Sequence, residues 1–183
     1  MARGDFILWE AQAGNIGDAL ISTVGVPHGP YVHVSIDMGN GLYVEEHGAG
    51  LGKAAYQWHR GHTSVDPRLL VPKADIEAGL AWVEGVYEEA VKNQSTHLYG
   101  WGDVFDEALK VFGHRFLSLP VINQLSHVHS KTAWDCSHFC TLYLIHAGAA
   151  GPLGKLAETP ELVAPNDLGI AFHVMPKRLL THT

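Results

Sequence analysis

Only two cysteines occur in the 183-residue chain, Cys136 and Cys140. They lie four apart in one amphipathic pattern, where a disulfide between two positions of one rigid element would be strained. A redox or metal pair has closer spacing and more ligands, so two separate thiols are expected. Basic residues are also scarce and scattered, 12 Lys and Arg against 19 Asp and Glu. The net charge of -7 excludes nucleic acid as the main partner, because phosphate binding needs clustered cations. No apolar run is long enough to span a bilayer, which excludes a stable membrane anchor. Met1-Ala2-Arg3-Gly4-Asp5 leads straight into strand-like sequence and lacks the pattern of a secretory signal. The expectation is a chain made in the cytoplasm, whose action at a cell wall requires delivery by a phage, a secretion machine or lysis. No repeat, low-complexity tract or long linker breaks the sequence. Residues 1–183 are expected to form a single domain, with 74–113 as a helical insertion within it.

What is present reads as strands followed by helices. Phe6 to Trp9, Tyr31 to Asp37, Leu42 to Glu46 and Val65 to Val71 have strand character, the last shortened or confined to an edge by Pro67. Gly39-Asn40-Gly41 is a strong turn signal between the second and third. Asn15 to Val24, Asp75 to Lys92, Trp101 to Phe112 and Cys136 to Ala147 read as helices, with Gly148 stopping the last. Phe116 to Leu125 is ambiguous. Pro160 to Leu168 reads as a turn and short helix, and Phe172 to Met175 as a final strand. The order implies an α+β domain, with an antiparallel sheet packed on the helix that carries the cysteines.

Cys136 stands at the start of that helix, in Trp134-Asp135-Cys136-Ser137. Unpaired N–H groups and the positive end of the helix dipole favour a thiolate there. Asp135 or Thr132 is the expected cap, and the Cys136 N–H is a candidate oxyanion donor. Cys140 joins Phe139, Tyr143 and Leu144 on the inward face and reads as packing. For Cys136, position alone leaves nucleophile and buried packing both open.

Thirteen histidines are too many to choose between by type. His33 stands out because a rigid strand, Tyr31-Val32-His33-Val34-Ser35-Ile36, carries it, with Val34 and Ile36 on the other face. A general base needs an orienting group on its far nitrogen, and Glu45 on the return strand is the candidate. Parity decides the pairing. A two-residue Asn40-Gly41 turn sets Glu45 opposite Ile36, away from His33. A three-residue Gly39-Asn40-Gly41 loop sets it opposite Ser35, on the His33 face. The catalytic reading therefore expects the three-residue loop. His59-Arg60-Gly61-His62 and His127-Val128-His129 lack the carboxylates or thiolates of a metal centre, so no metal or other cofactor is expected.

These residues resemble a known family. Asp135-Cys136-Ser137 before an apolar helix ending at Ala147-Gly148 looks like the nucleophile motif of NlpC-type cysteine peptidases, papain-like enzymes that mostly cut cell-wall peptides. In their usual order the histidine strand follows the cysteine helix. Here His33 precedes it, as in the circularly permuted branch of YiiX-like proteins and lecithin–retinol acyltransferase-like enzymes. Gly4-Asp5-Phe6-Ile7-Leu8 resembles that branch's opening strand, His33 to Glu45 its spacing of base and partner, and Pro165-Asn166-Asp167-Leu168 the segment after its cysteine helix. Glu45 stands where the acyltransferases have histidine, which is closer to the YiiX-like side. His138 departs from the small or acidic residue that often follows the Cys-Ser pair.

The resemblance implies a permuted papain-like fold and a thiol hydrolase, with Cys136 as nucleophile, His33 as base and Glu45 as orienter. A cell-wall peptide or another amide is the implied substrate, as for an endolysin. Tyr31 is the first candidate for a side-chain oxyanion donor, ahead of Tyr43 and Tyr99. Three alternatives remain: lipid ester or N-acyl chemistry at the same triad, a non-catalytic binding module, and a site of the usual order with His173 as base.

Overall fold

The computed structural model describes residues 2–13, 29–47, 50–55, 61–93 and 136–174. It is an α+β fold with a five-stranded antiparallel sheet. The strands are β1 (Phe6–Glu10), β2 (Tyr31–Gly39), β3 (Leu42–His47), β4 (Gly50–Ala55) and β5 (His62–Val65), in the order β4-β3-β2-β1-β5. The described helices are α1 (Ile76–Asn93), α2 (Cys136–His146) and α3 (Pro165–Ala171), with 3₁₀ turns at Pro67–Leu69, Gly151–Glu158 and Pro160–Leu162. The expected helices at Asn15 to Val24 and Trp101 to Phe112, and the segment Phe116 to Leu125, lie outside the described residues.

β1 is apolar without alternation because both its faces are covered. Phe6 and Leu8 enter the main core with Val34, Ile36 and Val44, whereas Ile7 and Trp9 pack with Tyr43 on the other face. Helix α2 lies on the main-core face. It is buried around most of its circumference, through Cys136, Ser137, Phe139, Cys140, Thr141, Tyr143 and Leu144, so it is a central helix rather than the amphipathic surface helix its pattern suggests. Helix α1 adds Ile76, Leu80 and Val83 to the same core. It crosses α2 closely at Gly79, where a Cβ would sit 2.7 Å from Tyr143 Cε2. The far end of α2 closes at Gly148, whose φ of 64° lets its N–H reach Ile145 O while the Ala149 N–H reaches Leu144 O. These are the two bonds of a Schellman cap.

Three expectations change. Val65 to Val71 is not a strand: β5 ends at Val65, and Asp66 caps a 3₁₀ turn that Pro67 begins, since a residue with fixed φ and no N–H suits a first helical position. Phe172 to Met175 is not a strand over its described part. The His173 N–H bonds Ile170 O and the Val174 N–H bonds Gly169 O, so Phe172-His173-Val174 closes α3 by the same cap that ends α2. His173 takes the left-handed position, φ 62°, and is exposed. Finally, β4 has no counterpart in the sequence reading, because Gly50-Leu51-Gly52-Lys53-Ala54-Ala55 is poor in strand-forming residues. Pairing with β3 along its whole length makes it a strand.

Candidate active site

The β2–β3 hairpin decides whether His33 and Glu45 share a face. The connection is the two-residue Asn40-Gly41 turn and not a three-residue loop: Gly39 pairs with Leu42, and Asn40 and Gly41 have φ of 57° and 75°, as a type I′ turn requires. That turn alone would send Glu45 to the wrong side. A register shift between Asp37 and Gly39 adds one residue to β2, so that Asp37 faces Tyr43 and Ile36 faces Val44. Continued one step, this register sets Glu45 opposite Ser35. The parity is thus the one that joins His33 to Glu45, reached by a bulge at Met38 instead of a longer loop.

The pair is made. His33 Nε2 lies 2.6 Å from Glu45 Oε2, with both side chains mostly shielded, at 18% and 13% exposure. This leaves Nδ1 for the other partner, the sulfur of Cys136. Burial works against a charged ring, but the negative charge of Cys136 and a hydrogen bond to it, followed by the hydrogen bond and charge of Glu45, push the His33 pKa up to about 10. His33 thus holds its proton at neutral pH whenever the sulfur is charged. The arrangement is a sulfur, an imidazole ring and a carboxylate, with the ring partnered by both Cys136 and Glu45.

Cys136 is the first residue of α2, so its N–H has no carbonyl partner within the helix. It is buried, at 7% exposure. Asp135 and Thr132, the expected caps, lie outside the described residues. Cys140, one turn on, is fully buried in the core. Burial, with a smaller contribution from the Cys136 charge, pushes its thiol well above the ordinary cysteine range, which leaves it protonated and unreactive. Both cysteines are free thiols.

Of the oxyanion candidates, Tyr31 turns toward the main core and its hydroxyl pairs with Thr63 Oγ1 at 2.9 Å. Tyr43 packs against Trp9, ring centroids 5.6 Å apart, and Tyr99 lies outside the described residues. His173, the base that the usual order would need, sits exposed in the cap of α3. Among the histidine groups, His62 packs its ring against Trp9 at 5.4 Å, while His59, His127 and His129 lie outside the described residues. No three His, Cys, Asp or Glu residues among the described ones are grouped to hold a metal ion, and no described helix is long and apolar enough to cross a membrane.

One contributor was invisible in the sequence. The register of β1 with β2 also slips, between Trp9 and Glu10, directly before the step that sets His33 opposite Trp9. At this irregular end the Tyr31 N–H is accepted by Asn166 Oδ1 at 3.0 Å, in a buried bond. Asn166 belongs to α3, whose first turn is fixed by Pro165 and by the Asp167 carboxylate accepting the Ala164 N–H at 2.9 Å. The only sequence signal was the helix-start chemistry of Pro165-Asn166-Asp167; a partner 135 positions away leaves none.

Neither a protein-family model, nor a curated protein, nor a solved structure matches the chain.

Proposed function

We propose that the protein is a thiol hydrolase of amide bonds, built as a circularly permuted papain-like domain of the NlpC type. The observation that carries this reading is His33 held between two acidic partners, with Glu45 Oε2 at 2.6 Å on Nε2 and the Cys136 sulfur on the other side. Structural ion pairs seldom need a cysteine at a helix start as the second partner, whereas a thiol nucleophile needs all three groups.

In the proposed reaction the Cys136 thiolate attacks the substrate carbonyl, forming the S–C bond as the C=O π pair moves to oxygen. The Cys136 N–H faces that oxyanion. Collapse breaks the C–N bond, and the His33 imidazolium gives its proton to the departing amine. Neutral His33 then takes a proton from water, which attacks the thioester; the C–S bond breaks and the thiolate–imidazolium pair is restored. Glu45 fixes the ring and stabilises its charge through both halves. By resemblance the substrate is a peptide of the bacterial cell wall.

The test compares wild type, Cys136→Ala and Cys140→Ala against cell-wall peptides, simple peptide amides and lipid esters, with intact-mass detection of the acyl-enzyme. Loss of turnover and of the acyl adduct in Cys136→Ala only, with an amide substrate, is expected. Equal loss in both variants, or in neither, overturns the assignment. Turnover of lipid esters alone moves the same triad to acyl-lipid chemistry.

A further inference from the structure

Burial of Asn166 is nearly complete, at 2% exposure, yet it belongs neither to the sheet nor to the triad. Its carbonyl oxygen reaches across from α3 to the Tyr31 N–H, two residues before His33. The place matters because β2 is irregular there. A strand that has slipped by one residue against β1 between Trp9 and Glu10 has no unique phase at its end, and each further step would turn its side chains to the opposite face. His33, however, must meet Glu45 with one ring nitrogen and Cys136 with the other.

We propose that Asn166 is the positioning residue for the base: its side chain pins the bulged start of β2 to α3 and so sets the direction from which His33 faces Cys136. This inference rests on the hydrolase reading for its kinetic consequence but not for its structural one. Two other groups hold the same end. The Ala11 N–H bonds Pro30 O at 2.9 Å, and the Tyr31 hydroxyl meets Thr63 Oγ1. Both tie β2 to its own sheet. Asn166 ties it to the layer that follows α2 in the chain, and Cys136 is on α2. It therefore couples the strand of the base to the helical layer of the nucleophile. Placement errors of about 1 Å cost on the order of a hundredfold in rate at such sites.

The experiment uses the full chain and the variants Asn166→Ala, which removes the acceptor, and Asn166→Asp, which keeps an oxygen in its place. Three quantities are read: the His33 ring titration by NMR, the rate of Cys136 alkylation by iodoacetamide at pH 6, and kcat and KM separately where a substrate is turned over. Asn166→Ala is expected to lower the His33 midpoint by about one pH unit, slow alkylation roughly tenfold, and cut kcat about tenfold or more with KM within about twofold. Asn166→Asp should restore most of each. A folded Asn166→Ala protein with wild-type titration and alkylation overturns the proposal, as does a folded Asn166→Asp protein that restores neither. Should Asn166→Ala not fold, hydrogen exchange at the Tyr31 amide of the wild type decides. Strong protection of that amide supports the bond; exchange as fast as an open amide overturns it. Absence of any hydrolysis in the wild type would sink the hydrolase reading alone, since titration, alkylation and exchange need no substrate.

Discussion

Replacing Cys136 by Ser removes the ionisable sulfur from beside His33 and leaves the volume of the site nearly unchanged. His33 reports the loss directly. Its pKa is raised from 6.5 to about 10 against the opposing effect of burial, a preference for the charged ring of roughly 5 kcal/mol at ~1.4 kcal/mol per pH unit. Cys136 supplies the two largest favourable contributions, its charge and its hydrogen bond, ahead of both from Glu45. More than half of the rise should therefore vanish in Cys136→Ser, bringing the midpoint to about 8 or lower, a change of roughly 3 kcal/mol. NMR titration of the imidazole resonances measures this, with His33→Gln identifying the signal among the other histidines. The wild-type ring should stay protonated across pH 6–8, while the Ser variant begins to titrate near the top of that range. A midpoint still near 10 in Cys136→Ser would mean that Glu45 alone holds the proton, and the sulfur would then have no claim to be the partner of Nδ1.

In the proposed hydrolase, Glu45→Gln should weaken the hold of His33 on its proton, so the alkaline limb of the kcat/KM profile moves down from about pH 10; equal limbs in both proteins would refute an orienting role. The sign for stability follows from the same raised pKa: the proton on His33 stabilises the fold fully below pH 6.5, and that contribution disappears as the pH rises through about 10. Deleting Met38 removes the extra residue of β2 and returns Glu45 to the far side of the strand; loss of the elevated His33 titration in a protein that keeps its far-UV CD spectrum is the expected result. Gly79→Ala puts a Cβ 2.7 Å from the Tyr143 ring, so urea denaturation should show a loss of about 1–3 kcal/mol.

Sequence patterning reached some of this and not the rest, for physical reasons. Local signals carried β1, the hairpin strands, α1 and the Gly148 stop, because each rests on periodicity or on one residue's backbone preference. The relation of His33 to Glu45 was readable as a parity requirement, since side chains alternate strictly along a strand. Its mechanism was not, because a bulge at Met38 has no composition of its own and Asn40-Gly41 favours the tight turn on any account. β4 escaped because its pairing, not its residues, makes it a strand. Phe172-His173-Val174 was misread because short apolar runs are ambiguous, and a histidine in the left-handed position breaks the usual glycine signal of a helix stop. Asn166 stayed hidden because a single buried amide has no pattern at all.

The hairpin that joins His33 to Glu45 closes over twelve residues, whereas Cys136 follows some hundred residues later. Hairpins of that size form within microseconds, and docking a distant helix is slower because it closes a far longer loop. During synthesis the His33–Glu45 pair can thus be complete while Cys136 is still unmade. Until α2 docks, Cys136 has neither a helix start of its own nor the His33 ring beside it. On the proposed function, the complete site is among the last things folding makes, so a half-made or misfolded chain lacks it.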